Sequence, residues 1–255
     1  MRKFNSISYV VLRWAREVAD PIKFITSGPR YLDFFMDWHR YSRLKGAEPI
    51  KISETWPCIH DKTETTDFDH HYFYQDIWAF NKIYKSKVDC HVDVGSLVYF
   101  VGFLTRITKV IFIDIRPLMA TLDNFESRRG SVLSLPFEDS SVKSLSCLHV
   151  AEHIGLGRYG DPLEPLGTKK ACKELSRILA VNGNLYFSIP VGRPRLCFNG
   201  CRVHAPRQIV EYFNDLELVE FSGVDDGGNY LNNIDLSKLE DSDYACGFFW
   251  FTKKK

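Results

Sequence analysis

The sequence has no run of roughly 18 apolar residues, the length a helix needs to cross a bilayer, so no spanning helix is expected. It has no charge bias: 33 Lys and Arg stand against 32 Asp and Glu, a formal net charge of +1. No global field draws such a chain to nucleic acid, and no nucleic-acid partner is expected. It has no CxxC pair, which argues against a zinc ribbon. Its 7 cysteines are odd in number and scattered, several of them in apolar runs (Cys90, Cys147, Cys246). Buried reduced thiols in a cytoplasmic protein fit that usage better than a disulfide framework. A secretory leader is not expected either, because Arg13 and Arg16 interrupt the apolar start too early. Internal repeats and low-complexity tracts are missing. The glycine turn after the apolar run 88–94 lacks the GxGxxG fingerprint, because Leu97 stands where a second glycine would be and the next glycine is Gly102, and no GxxxxGK[ST] occurs; this argues against a nicotinamide dinucleotide and against a P-loop.

What is present falls into two patterns. Residues 1–65 read as a helical N-terminal extension. Phe4, Ile7, Val11, Trp14 and Val18 recur at helical spacing, and Asp20-Pro21 should end that helix. A second helix is expected after Ser27-Gly28-Pro29, with Tyr31, Phe34, Phe35, Trp38 and Tyr41 on one face and Arg30, Asp33, Asp37 and Arg40 on the other. Such a stripe packs on a core or partner, or serves as a lid. Residues 1–30 carry six basic side chains against two acidic ones. With the apolar stripe, this makes peripheral contact with an anionic membrane surface through residues 1–45 a further expectation.

Residues 66–255 alternate helix and strand. The stretch HYFYQDIWAFNKIYK reads as a helix with Phe73, Ile77, Phe80 and Tyr84 on one face. Apolar runs at 88–94, 109–115, 144–150, 183–190, 216–224 and 244–252 read as strands, with helices near 97–107, 117–127, 167–180 and 205–214. This order predicts an α/β, doubly wound, mostly parallel sheet whose ligands bind beyond the strand ends. After the first strand, Asp93-Val94-Gly95-Ser96 offers a glycine turn that lets a ligand approach the backbone. After the second, Asp114 stands where an acid can accept both hydroxyls of a ribose, unless it only caps a helix before Pro117.

Next comes Gly130-Ser131-Val132-Leu133-Ser134-Leu135-Pro136-Phe137-Glu138-Asp139-Ser140-Ser141, which resembles the G-D-x-x-x-L-P-F-x-D-x-S segment of class I S-adenosylmethionine-dependent methyltransferases. The following SLSCLHVAEHIGLGRYGDP, with LYFSIPVG and LELVEFSGVDD, is similar to the methyltransferase-like family called domain of unknown function 268. The resemblance spans roughly residues 70–252. It implies a Rossmann-like methyltransferase sheet with its last strand antiparallel. It also implies S-adenosylmethionine as cofactor, held by Asp93, Gly95, Ser96, Asp114, Ser131, Val132 and His149. Three departures stand out: Ser131 for the usual acid, Tyr99-Phe100 for an acid and a glycine, and Asn199-Gly200-Cys201-Arg202 for Asn-Ala-His-Arg.

His149-x-x-Glu152-His153 also matches the HxxEH pattern of some zinc peptidases. Peptidase chemistry is excluded, because the pattern follows a strand and no downstream glutamate helix is evident. The pattern also resembles the E-x-x-E-H cluster of small-RNA 2′-O-methyltransferases and ubiquinone-pathway O-methyltransferases. That likeness implies a divalent cation on Glu152, His153 and His204. The alternative is metal-free: His149 lines the cofactor, Glu152 caps a helix and His153 is a lone base. Arg158, in a loop made permissive by Gly155, Gly157 and Gly160, either grips an anionic group or pairs with Asp161. The expected function is methylation of a hydroxyl, on a small molecule, sugar or glycan, with His149, His153 and Arg158 as catalytic candidates. A methyltransferase fold without catalysis, acting by binding or at a membrane surface, is the alternative.

Overall fold

The computed structural model describes residues 21–254 and, ahead of them, Val11 and Ala15. Apart from these two, the expected helix from Phe4 to Val18 lies outside the described residues. The chain divides into two compact units, residues 1–68 and residues 69–255. In the first unit, α1 (Pro21–Tyr41) carries Pro29 in its interior. The helix thus runs through Ser27-Gly28-Pro29, where a start was expected. Part of the reason is local. The Ser27 hydroxyl is buried against His60 Nε2 (3.3 Å), and Arg30 reaches the Ile59 carbonyl (3.3 Å) and His60 Nδ1 (2.8 Å). The segment before Asp61 thereby splints the helix on both sides of the proline. Phe34, Phe35 and Trp38 form an aromatic cluster, with ring centroids 5.5–6.3 Å apart. Among the described residues no helix is long and apolar enough to cross a membrane.

The second unit is built on an eight-stranded sheet. It opens with α2 (His70–Ser86), which Asp69 caps by accepting from Tyr72 N–H (3.1 Å). The strands are β1 (Cys90–Val94), β2 (Lys109–Asp114), β3 (Phe125–Arg129), β4 (Val142–Leu148), β5 (Leu179–Val191), β8 (Glu217–Val224), β9 (Tyr230–Leu231) and β10 (Ala245–Thr252). Their order is β3-β2-β1-β4-β5-β10-β8-β9. The first five run parallel, and β10 enters antiparallel between β5 and β8. The remaining helices are α3 (Val98–Leu104), α4 (Gly167–Ile178) and α5 (Pro206–Tyr212). A small hairpin, β6 (Arg195–Cys197) with β7 (Cys201–Val203), projects after β5.

Each face of the sheet has its own core. Trp78, Ile83, Phe100 and Leu104 of α2 and α3 pack with Phe112, Tyr186 and Phe248 on one side. Ala171, Leu175, Ile178 and Ile209 of α4 and α5 pack with Leu145, Phe187 and Phe249 on the other. This is the doubly wound sheet that alternating helices and strands predict. One expectation is corrected here: residues 117–127 form no helix, and the irregular connection ends in β3, an edge strand. The buried residues of α2 are Gln75, Trp78, Ala79 and Ile83, while Phe73, Ile77 and Phe80 line an apolar cavity with residues of α3.

Candidate functional site

The parallel strands β1, β2 and β4 end on the same side, and the segments after them surround two cavities of about 380 Å³ each. That size suits a small-molecule ligand. Gly95, Asp114, Arg116, His149 and Tyr159 line both. Gly95 follows β1 with φ +70, and a Cβ there would meet the Val150 side chain at 3.2 Å. Only glycine takes that turn freely beside so close a neighbour. Ser96 lines the second cavity, and its hydroxyl accepts from Leu148 N–H (3.1 Å), tying the turn to the end of β4.

Asp93 departs from its expected role. It lines neither cavity. Its carboxylate is fully buried, accepting from Ser96 N–H (3.0 Å) and from the Ser146 hydroxyl. Ser146 in turn stands 2.8 Å from His91 Nε2, whose Nδ1 lies 2.7 Å from the Ser144 hydroxyl. Burial raises the Asp93 pKa to about 6 and lowers that of His91 to about 3. Asp93 therefore fixes the glycine turn from beneath rather than touching a ligand.

Asp114 does reach the cavities. Its Oδ1 accepts from Arg116 N–H (2.6 Å), while Oδ2 faces the Gly95 turn, 3.6 Å from where a Cβ would sit. Ser131, Val132 and Leu133 line the first cavity opposite Val150 and Ile154. The Ser131 hydroxyl accepts from Leu133 N–H (3.2 Å), so it holds its own turn. Of the other departures, Phe100 is buried and Tyr99 is exposed in an apolar cavity between α2 and α3. Neither touches the two cavities at the strand ends.

His149 closes β4 with φ +55 and lines both cavities. Its Nδ1 lies 2.8 Å from Gln75 Oε1, which also accepts from the Ser188 hydroxyl (2.5 Å). Gln75 uses its nitrogen on Asp76, so its oxygen receives the Nδ1 proton and His149 Nε2 keeps the lone pair. Burial, with His71 and His153 nearby, lowers the His149 pKa to about 3. The imidazole is neutral at physiological pH and a weak base.

Glu152 and His153 lie in a 3-10 turn, Ala151–His153, directly after β4. Glu152 does not cap a helix. Both its oxygens are buried with no hydrogen-bond partner among the described residues, and burial raises its pKa to about 8. His153 Nδ1 donates to the Gly200 carbonyl (2.6 Å), leaving Nε2 as the acceptor, 3.6 Å from Glu152 Oε1. Burial, with the Arg158 charge behind it, lowers the His153 pKa against the opposing Gly200 bond. The Asn199-Gly200-Cys201-Arg202 departure is thus part of the site. Gly200 supplies the carbonyl that orients His153, and Arg202 clamps the carbonyls of Ile154 (2.6 Å) and Glu164 (3.0 Å).

The predicted cation set does not assemble. Among the described residues, the group whose ligand atoms all lie within 4.8 Å of one another is His71, His149 and Cys246. His204 does not complete Glu152 and His153 at that spacing. It sits in the turn before α5, paired with Val191, with Nδ1 at 3.1 Å from Gln208 and Nε2 buried and unpartnered. The Arg158–Asp161 pair is not formed either. Asp161 accepts from Gly155 N–H (2.6 Å) and Tyr159 N–H (3.3 Å), while Arg158 is exposed and reaches Gly200 (3.3 Å). Gly155, Gly157 and Gly160 all adopt positive φ, which the turn of this loop requires. Arg116 and Arg158 lie over the Tyr159 ring, 4.4 and 5.2 Å from its centroid. Gln75, Tyr72, Arg116 and Tyr159 are site residues that sequence reasoning missed, because packing and not local pattern brings them to His149 and to the cavities.

The family described as "Caenorhabditis protein of unknown function, DUF268" matches residues 101–245, more than half of the chain. The chain belongs to this family. No protein of curated function matches it in sequence. Among solved structures, the DUF268 chain is similar to the N-methyltransferase NodS from Bradyrhizobium japonicum WM9 in complex with S-adenosyl-L-homocysteine. The identity is 12%, coverage is 86% of this chain and 98% of that one, and the TM-score is 0.53. It is also similar to geranyl diphosphate methyltransferase in complex with S-adenosylmethionine (14% identity, 71% and 84% covered, TM-score 0.52). A third similar structure is the [4+2]-cyclase SpnF (12% identity, 70% and 81% covered, TM-score 0.50). At such identities the likeness concerns the fold: this DUF268 chain has the Rossmann-like sheet of the class I methyltransferases.

Proposed function

We propose that this protein is an S-adenosylmethionine-dependent methyltransferase acting on a hydroxyl of a small molecule, sugar or glycan. The observation that carries the reading is the first cavity. There a carboxylate with one oxygen turned toward a glycine turn (Asp114, Gly95) stands beside an apolar slot (Val132, Leu133, Val150, Ile154). A ribose diol needs the first feature and a purine ring the second. The complexes of NodS and geranyl diphosphate methyltransferase, named above with this cofactor or its product, support the same reading.

When bound, the cofactor supplies an electrophilic methyl group. The protein's own work is alignment and removal of one proton. His153 is the base, since Nε2 holds a lone pair in a ring fixed by Gly200. The buried carboxyl of Glu152 lies 3.6 Å from that nitrogen and outside both cavity linings, so it acts on His153 and not on the acceptor. His149 is too weakly basic for that role and positions ligand instead. Arg158 stands outside both cavity linings and acts at the rim, next to Tyr159. The Tyr72 ring, which lines the second cavity, provides a flat face on which a sugar can stack.

Calorimetry with S-adenosylmethionine and S-adenosylhomocysteine tests the first half, with saturable binding of both as the expected result. Transfer of labelled methyl to a panel of glycans and phenols tests the second. His153→Ala is expected to lower the rate by roughly 10²–10⁴ with cofactor affinity unchanged. Absence of any cofactor binding would leave the fold as a non-catalytic binding module.

A further inference from the structure

The hairpin β6–β7 sets two cysteines opposite one another. Cys197 and Cys201 are register partners across its antiparallel pair, with only Phe198-Asn199-Gly200 between them in the chain. Cys197 is exposed and Cys201 is buried. The turn that joins them is tight. Gly200 N–H donates to the Cys197 carbonyl (2.9 Å), and a Cβ on Gly200 would stand 3.6 Å from the Cys197 Cβ. We propose that Cys197 and Cys201 form a reversible disulfide, and that this bond controls the turn whose Gly200 carbonyl orients His153.

The pairing meets the geometric demand. Opposed residues of an antiparallel pair stand about 4.5–5.5 Å apart at Cα, within the roughly 4.4–6.8 Å that a disulfide spans. Their side chains share one face of the hairpin, with Cβ atoms about 4.5–5.5 Å apart, and a disulfide draws these to about 3.5–4.5 Å. Closure is thus a shift of roughly 1 Å within one hairpin. The two thiols also differ as a redox pair needs: one open to the oxidant and one poised to resolve it. The Cys201 Sγ lies 3.8 Å from the Tyr244 hydroxyl, and burial raises its pKa, with Cys197 adding to the shift.

The oxidant is a hydroperoxide such as hydrogen peroxide. The Cys197 thiolate attacks one peroxide oxygen and becomes a sulfenic acid. The O–O bond breaks, and the other oxygen leaves as water with the proton that the thiol released. Cys201 then loses its proton and attacks the Cys197 sulfur. The S–S bond forms, the S–O bond breaks, and a second water leaves. Two thiols are oxidised by two electrons, and one peroxide is reduced to two waters. A dithiol reverses the bond by exchange. The contacts of His153 Nδ1 (2.6 Å) and Arg158 (3.3 Å) both end on the Gly200 carbonyl, so drawing the strands together moves their acceptor. Any consequence for methyl transfer rests on the function proposed above; the disulfide does not.

The test treats the full chain, folded by circular dichroism, with hydrogen peroxide, then blocks remaining thiols by alkylation. Tryptic peptide 196–202 carries both cysteines. It should lose the mass of two hydrogens, resist alkylation, and recover both thiols with dithiothreitol. The His153 ring signals in proton NMR, identified by their absence in His153→Ala, should shift on oxidation and return on reduction. In Cys197→Ser neither change should occur, and Cys201 should remain a thiol. Two alkylated cysteines in the treated wild type overturn the proposal. So does a Cys197 found as sulfinic acid or joined to a second chain. A disulfide that leaves the His153 signals unmoved overturns the control of the turn. These readouts need neither cofactor nor acceptor, so they stand apart from failure of the methyltransferase reading.

Discussion

At the scale of single residues, function concentrates in a few polar groups held against burial. Asp114 was legible as an acid at the end of the second strand, and it lines both cavities; the proposed reading gives it the ribose. Replacing it with Ala should weaken S-adenosylhomocysteine binding by about 1.5–3 kcal/mol, the loss of a charged hydrogen-bond partner. That is roughly 10- to 150-fold in Kd, measured by calorimetry on the folded variant. Glu152 was visible as a motif member, but its isolation was not, because lack of partners is a property of packing. Its folded pKa of about 8 lies above the ordinary 4.5. Between these values the folded protein binds a proton that the unfolded chain has released. The carboxyl therefore lowers stability progressively as pH rises from about 4.5 to 8, by an amount on the order of a few kcal/mol. Glu152→Gln should remove this slope, so denaturant unfolding from pH 5 to 9 should show the variant gaining on the wild type toward alkaline pH. A parallel pair of curves would count against the burial argument.

At the scale of elements, periodicity worked where one face is buried and failed where it is not. The strands rich in β-branched and aromatic residues were readable. The segment Phe125-Glu126-Ser127-Arg128-Arg129 was not, because β3 is an edge strand with no buried residue and charged side chains that suit an edge. The hairpin β6–β7 was equally hidden, although it delivers Gly200 and Arg202 to the site. The loop after β4 and the start of α4 approach with almost no room. A Cβ on Gly167 would stand 2.1 Å from the Ile154 carbonyl oxygen, and one on Gly155 2.2 Å from that of Glu164. Gly167→Ala should therefore cost about 1–3 kcal/mol in urea unfolding, as overpacking does. It should also weaken cofactor binding, because Ile154 lines the first cavity. Unaltered stability would show that the loop can give way freely.

At the scale of the molecule, the doubly wound sheet was legible from the alternation of elements, while the antiparallel last strand came only from the resemblance to the methyltransferases. The position of β10 between β5 and β8 is a matter of pairing, which no local pattern encodes. Every residue lining the two cavities belongs to the second unit. A fragment from residue 69 onward should consequently fold and bind S-adenosylhomocysteine with the affinity of the full chain. Circular dichroism and calorimetry of that fragment check both points. Weakened binding in a folded fragment would assign a cofactor role to residues 1–68.

The insertion of β10 also bears on how the protein is made. Synthesis runs from the N-terminus, so β5 and β8 leave the ribosome before the strand that joins them. In that interval each presents an open edge of unpaired N–H and C=O groups, and the Phe187 and Phe221 side chains lack their β10 neighbour Phe249. Open edges beside uncovered aromatic rings are the surfaces on which nascent chains aggregate. The nascent protein therefore passes through a stage of exposed strand edges, and arrival of a single eight-residue strand ends it.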